Sequence, residues 1–260
     1  MRRLIRAELA VLKRRPTAIA MLWVAVILPA VVVFVFGMLE DSAAMLNGKP
    51  ISSIIQFSGP DAAQLALRAR HFFVMPLFLL TLAGQGLAGE RVTHVMREQL
   101  VRPVSRDQMF LAKLLSLWML SALTLVLGAG VSLIIATPWL GVDGPWGLFF
   151  ASLGLSVLTD LGILAVGFFL SSMLRSTSAV VIAGLMVLGL DLAIRLGMAG
   201  LGFLGVEGAE TISQLMLGSG LNVWSSVGDE WNITALIAII FWSTLMLVVG
   251  RFRYNRLDIH

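Results

Sequence analysis

Six stretches of this chain are long and apolar enough to cross a membrane, and that pattern constrains it more than any other feature. A helix spanning the hydrocarbon core of a bilayer needs about 20 mostly apolar residues. Five runs meet that need plainly: Thr17 to Leu39, Phe72 to Gly89, Leu111 to Thr137, Trp146 to Leu170 and Ile233 to Gly250. A sixth, Ala179 to about Leu196, is as long but carries Asp191 and Arg195. Only 13% of the 260 residues are Asp, Glu, Lys or Arg, against 58% apolar, so no soluble domain of this size could cover so much apolar surface. The fold class expected is an all-α membrane protein with six transmembrane helices.

The basic residues orient the spans. Of 19 Lys and Arg, 15 fall in the amino-terminal segment, the loop after span two with Lys113, the turn after span four and the carboxyl tail. Lys49, Arg68 and Arg70 sit in the loop between spans one and two. Cytoplasmic loops carry the excess of Lys and Arg, which puts both termini in the cytoplasm. Trp139, Trp146, Trp224 and Trp231 flank spans on the opposite side, as an interfacial aromatic belt does. The basic pI of about 10.3 is thus topology and not a nucleic-acid footprint.

The chain reads as a single membrane domain, 1–260. Residues 1–16 project as an amphipathic interfacial helix, with Arg2, Arg3, Arg6, Lys13 and Arg14 on one arc and Leu4, Ile5, Leu9, Val11 and Leu12 on the other. Glu8 and Arg15 interrupt the apolar arc. Its apolar stretch of about 23 residues from Thr17 exceeds a signal-peptide core, so span one is an uncleaved anchor. Residues 40–71 form the outer loop, with a short helix from Ala62 to Arg70 leading back to the membrane. Residues 197–231 are apolar but interrupted by glycines, the pattern of short outer or re-entrant helices between spans five and six.

Catalytic chemistry is not expected of this sequence. There are no cysteines, which removes disulfides, thiol catalysis and cysteine metal sites. His71, His94 and His260 all fall outside the expected spans, so an intramembrane serine protease has no base, and no His-Glu-x-x-His occurs. No phosphate-binding loop is present: the one Gly-Lys pair, Gly48-Lys49, is followed by Pro50. No catalytic residue, metal ligand or cofactor of the chain's own is expected. Three ionisable residues lie within spans, where a charge is costly and marks a candidate functional position. Asp191 and Arg195, spaced i,i+4, can pair on one helix face. Asp160 in span four has no such partner, leaving it protonated or meeting another helix. All three are candidates for a translocation path or for intramembrane pairing. Carboxylates in this setting keep an ion- or proton-coupled secondary transporter open as an alternative.

The strongest local signal is the cytoplasmic loop Gly89 to Lys113, GERVTHVMREQLVRPVSRDQMFLAK. Val92 to Val101 can form a short amphipathic helix that ends before Pro103. Ser105 is placed to cap the helix that continues into span three. A short helix clamped between two spans by charged joints suits transmission of force from a soluble partner.

This loop resembles the signature of ABC-2 type transporter permeases. In that family span two ends in Gly-Glu-Arg, a coupling helix follows, and a Pro-Val-Ser-Arg segment leads into span three with a Lys shortly after. Gly89-Glu90-Arg91, Arg102-Pro103-Val104-Ser105-Arg106 and Lys113 match in type and spacing, while His94-Val95 replaces the usual Gly-Thr. Six spans, cytoplasmic ends and the interfacial first helix extend the similarity over the chain. The resemblance implies a permease subunit of an ATP-driven exporter in a bacterial or archaeal inner membrane. It would pair with a second copy or a related permease and with two copies of a cytoplasmic ABC ATPase, which would hold ATP and Mg. Glu90, Arg91, His94, Arg97, Glu98, Arg102 and Arg106 are then the expected ATPase-coupling residues. A membrane assembly subunit that binds an ATPase but transports nothing is a further alternative.

Overall fold

The computed structural model describes residues 1–41, 45–46, 49–50, 58–92, 104–204, 206, 208–221 and 233–256. Apart from a minimal ribbon, in which β1 (Met45–Leu46) pairs antiparallel with β2 (Lys49–Pro50), every described element is helical. The chain begins with α1 (Arg2–Leu12) and, after a tight turn, α2 (Pro16–Asp41). Next comes an unbroken helical run: α3 (Gly59–Ala69), a π-helical turn (Arg70–Val74), α4 (Met75–Gly84), a second π turn (Gln85–Gly89) and α5 (Glu90–Val92). The remainder is α6 (Arg106–Leu140), α7 (Trp146–Met173), α8 (Thr177–Phe203), α9 (Ala209–Leu215), α10 (Leu217–Leu221) and α11 (Ile233–Asn255).

Five of these helices are long and apolar enough to cross a membrane: Pro16–Val35, Arg106–Leu140, Trp146–Met173, Thr177–Met198 and Ile233–Asn255. They match five of the six expected spans. The remaining one, Phe72 to Gly89, lies inside the run from Gly59 to Val92, where the two π turns divide the helix. Of these five, helix α7 is the most enclosed, packed against α11, α4, α6 and α8. Leu79, Leu80, Leu164, Phe168, Val180 and Ile239 form the heart of the main core. The outward faces of α8 and α11 instead present Ile182, Met186, Leu190, Ile237 and Val248, an apolar exterior that suits hydrocarbon and not water.

The expected outer loop 40–71 is too long at its far end. From Gly59 onward the chain is already inside the bundle: α3 packs between α2 and α6 and buries Ala62, Ala63, Ala66 and Leu67. Polar residues lowered the apparent hydropathy here, yet each of three has an internal partner. Asp61 accepts hydrogen bonds from the Ser58 backbone N–H and hydroxyl at 3.1 and 2.5 Å, and Gln64 donates to Ser152 Oγ at 2.8 Å. Arg70 is treated below. The lone short helix expected from Ala62 to Arg70 is thus the first turns of a much longer one.

Two other expectations hold with shifted limits. Ser105 caps α6, accepting from the Gln108 N–H at 3.2 Å in extended backbone geometry. The fifth span continues as helix past Leu196 to Phe203, and two short helices, α9 and α10, follow as the interrupted segment suggested. Trp224 and Trp231 lie outside the described residues.

Candidate functional site: the roots of the α5–α6 loop

The middle of the loop, with His94, Arg97, Glu98 and Arg102 and most of the expected coupling helix, lies outside the described residues. Its two ends do not, and they converge on one cluster of charges.

At the leading end, Glu90 is buried, not displayed to solvent. Its two carboxylate oxygens accept from different cations: Oε1 from Arg15 at 2.6 Å and Oε2 from Lys113 Nζ at 2.6 Å. Lys113, also buried, donates in addition to Glu8 at 3.0 Å. Arg15 and Lys113 therefore share Glu90, and Glu8 and Glu90 share Lys113, in a cluster of zero net charge. Mutual compensation of this kind offsets the desolvation of each group, which would otherwise cost several kcal/mol per ion. The cluster ties α1, the α1–α2 turn, α5 and α6 together at one point. Thr17 Oγ1 donating to Gln85 Oε1 at 2.8 Å reinforces the same junction one turn away.

Arg91 points elsewhere. Its guanidinium donates to the carbonyl of Ser171 and, at 2.6 Å, to that of Leu174. These are final-turn carbonyls of α7, where intrahelical partners run out and a cation is favoured by the helix dipole. Gly89 explains why the motif opens with glycine: a Cβ there would stand 3.2 Å from Thr177 Oγ1, at the start of α8. Removing the side chain lets the end of the 59–92 helix lie close against the α7–α8 turn.

At the trailing end, Arg106 donates to the Asn255 carbonyl at 3.0 Å, while Asp107 accepts from Arg251 at 2.7 Å and Asn255 Nδ2 at 2.6 Å. Tyr254 is buried beside Phe110, ring centroids 5.6 Å apart. The start of α6 is thereby fastened to the end of α11. Of the expected coupling residues, Glu90, Arg91 and Arg106 thus act as fasteners of the loop's roots. Sequence reasoning missed their partners, although Glu8 and Arg15 had announced themselves by breaking the apolar arc of α1.

The intramembrane candidates are resolved into two separate sites. Asp160, fully buried on α7, is met across the bundle by Arg70 from the first π turn: Nη2 lies 2.8 Å from Oδ2 and Nη1 3.3 Å from Oδ1. Ser121 also donates to Asp160, and Arg70 reaches the Ser121 carbonyl at 3.4 Å. His71 Nδ1 donates to the Leu67 carbonyl at 2.9 Å, and its Nε2 lies 3.0 Å from Arg70 Nη1 and 3.3 Å from Asp160 Oδ1. Arg70, counted from sequence among the outer-loop charges, and His71, placed outside the spans, are both buried in the bundle. A partner 90 positions away leaves no local trace in the sequence.

Asp191 and Arg195 do pair, Nε to Oδ2 at 3.0 Å, as their spacing predicts. The same Oδ2 accepts the backbone N–H of Gly218 at 2.9 Å. A Cβ at Gly218 would collide with the Asp191 carboxylate and come within 2.6 Å of Arg195 Nη2, so glycine is what lets α10 dock on α8. This pair anchors the interrupted segment to a span.

None of the curated proteins compared with the chain matches it. The model of the family described as ABC-2 family transporter protein matches residues 4–194, a stretch that holds most of α1, both roots of the loop, the Arg70–Asp160 pair and Asp191. That match covers well over half the chain, and it agrees with the loop signature and with the set of membrane-length apolar helices: the chain belongs to the ABC-2 transporter family, as a multi-pass membrane subunit of an ABC transporter.

Proposed function

We propose that the chain is the permease of an ATP-driven exporter, receiving force from a separate ABC ATPase through the loop between Val92 and Val104. The observation that carries this is the junction at Glu90. A displacement applied to the loop reaches α1, α2 and α6 through Glu8, Arg15 and Lys113, and α7 through Arg91. Such an arrangement turns a local push into a concerted movement of helices, which alternating access at a permease interface requires. The ATPase would supply ATP binding and hydrolysis, with two ATPase copies serving two permease copies. The setting is a bacterial or archaeal cytoplasmic membrane.

A parity argument supports six crossings with both termini on the cytoplasmic face. Helix α1 and the end of α11 both contact the start of α6, so the chain begins and finishes at the same end of the bundle. An even number of crossings follows, and the run from Gly59 to Val92 is the sixth. The secondary-transporter alternative would need Asp160 to exchange an ion or proton. Both oxygens of that carboxylate accept from the Arg70 guanidinium, which speaks for a structural pair.

The test is co-expression of the chain with an ABC ATPase encoded beside it. Co-purification is expected, and Arg97→Glu with Glu98→Arg should abolish permease-dependent stimulation of ATP hydrolysis while the complex still assembles. Full stimulation in that variant, or substrate movement in liposomes under an ion gradient without any ATPase, would sink the proposal.

A further inference from the structure

Helix α1 does not lie flush on its neighbours. Between it, the start of α2 and the middle of α6 is a cavity of about 590 Å³ lined by Leu9, Ala18, Ile19, Leu22, Met119 and Leu123, with Arg6 and Lys13 at its edge. Ile19, Met119 and Leu123 remain 43–51% exposed, so the groove opens sideways, where hydrocarbon surrounds the bundle. Arg6 and Lys13 are seven residues apart, two helical turns, and therefore share a face of α1. Neither takes part in the ion pairs at this end of the bundle, which use Arg15 and Lys113.

We infer that this groove binds one anionic phospholipid, its phosphate held by Arg6 and Lys13 and an acyl chain laid between α1, α2 and α6. The charge at the rim of the groove selects that occupant over a neutral one, and two further observations fit a bound lipid. The two cations are exposed and stand at one edge of an otherwise apolar groove, and a phosphate complements them by charge-assisted hydrogen bonds. The groove is lined along α1 from Arg6 to Lys13, seven residues or about 10 Å of helix, and on α6 by Met119, Leu120 and Leu123, about 6 Å, room for part of an acyl chain. The anchoring face of α1 is spent on Glu8, Leu12 and the Ile5 carbonyl, which accepts from Ser116 at 3.4 Å. A lipid wedged beside it would brace the helix that feeds the Glu90 junction.

Native mass spectrometry of the detergent-purified full chain, titrated with phosphatidylglycerol or phosphatidylcholine, tests this without any ATPase. Phosphatidylglycerol should be retained preferentially, and Arg6→Gln with Lys13→Gln should weaken its binding about tenfold, leaving phosphatidylcholine unchanged. Arg2→Gln with Arg3→Gln, which removes equal charge from the same helix outside the groove, should have no such effect. Ala10 also lines the groove, and Ala10→Trp, filling it, should displace phosphatidylglycerol with both cations intact. Equal retention of the two lipids, equal losses in the two double variants, or retention despite Ala10→Trp would each overturn the assignment. So would an Ala10→Trp chain that keeps its lipid and loses self-association, which would make the groove a contact between copies.

Discussion

Glu90 and Lys113 stand on opposite sides of the loop between α5 and α6, 23 positions apart, and their charged groups meet at 2.6 Å inside the protein. The loop therefore leaves from and returns to a single fixed point. Any movement of one root is shared by the other.

Replacing Lys113 with Met leaves Glu8 and Glu90 facing each other without their common cation. Loss of about 3 kcal/mol of stability is expected, read as a lower unfolding midpoint of the detergent-solubilised chain. Adding Glu90→Gln should cost far less than the sum of the two single changes. Strict additivity would show that the two groups do not depend on each other.

At the centre of the bundle, Arg70→Leu removes the guanidinium that faces the buried Asp160 carboxylate and should sharply reduce the yield of folded protein. The double change with Asp160→Leu should recover most of it, since an apolar pair of similar size can replace a buried ion pair at little or no cost. Separate purification of the two variants and size-exclusion profiles decide the matter. A double variant as poor as the single one would assign Asp160 a role beyond pairing.

Gly218→Ala should loosen α10 from α8. Because the sequence has no cysteine, Leu217→Cys introduces a lone thiol, and Leu217 is buried at the docked position. Its labelling by a water-soluble maleimide should be slow in the parent and at least several-fold faster once Gly218 carries a methyl. Unchanged labelling would mean that the Asp191 contact does not hold the segment.

The same absence of native thiols makes the topology measurable. Arg3→Cys and Arg256→Cys should react only from the cytoplasmic face of intact cells, and Asp143→Cys, in the exposed α6–α7 turn, only from the other. Arg3 and Arg256 labelling from opposite faces would remove the 59–92 helix from the set of crossings.

What the sequence disclosed follows from the range of the interactions concerned. Long apolar runs and an i,i+4 pair are local, so five spans, the Asp191–Arg195 contact and the Ser105 cap were all legible. The family signature was legible as well, because its residues lie within one loop. Roles inside that loop were not, since Glu90 looks like any exposed charge until Arg15 and Lys113 are brought beside it. Arg70 misled in the other direction: a cation next to a turn-rich loop reads as a topology marker, and only the fold delivers Asp160 to it. The extent of the second span was obscured for the same reason, its polar residues being satisfied by helices distant in sequence.

The neutral cluster at Glu90 also sets rules for exchange of parts. A loop taken from another permease between Val92 and Val104 arrives on roots that remain intact, so the loop can be exchanged without disturbing the bundle. A transplant extended to include Glu90 and Lys113, two residues on one side and nine on the other, would have to bring matching groups at positions 8 and 15, which lie in a different part of the chain. The natural seam for building chimeras in this protein therefore runs just inside the fasteners.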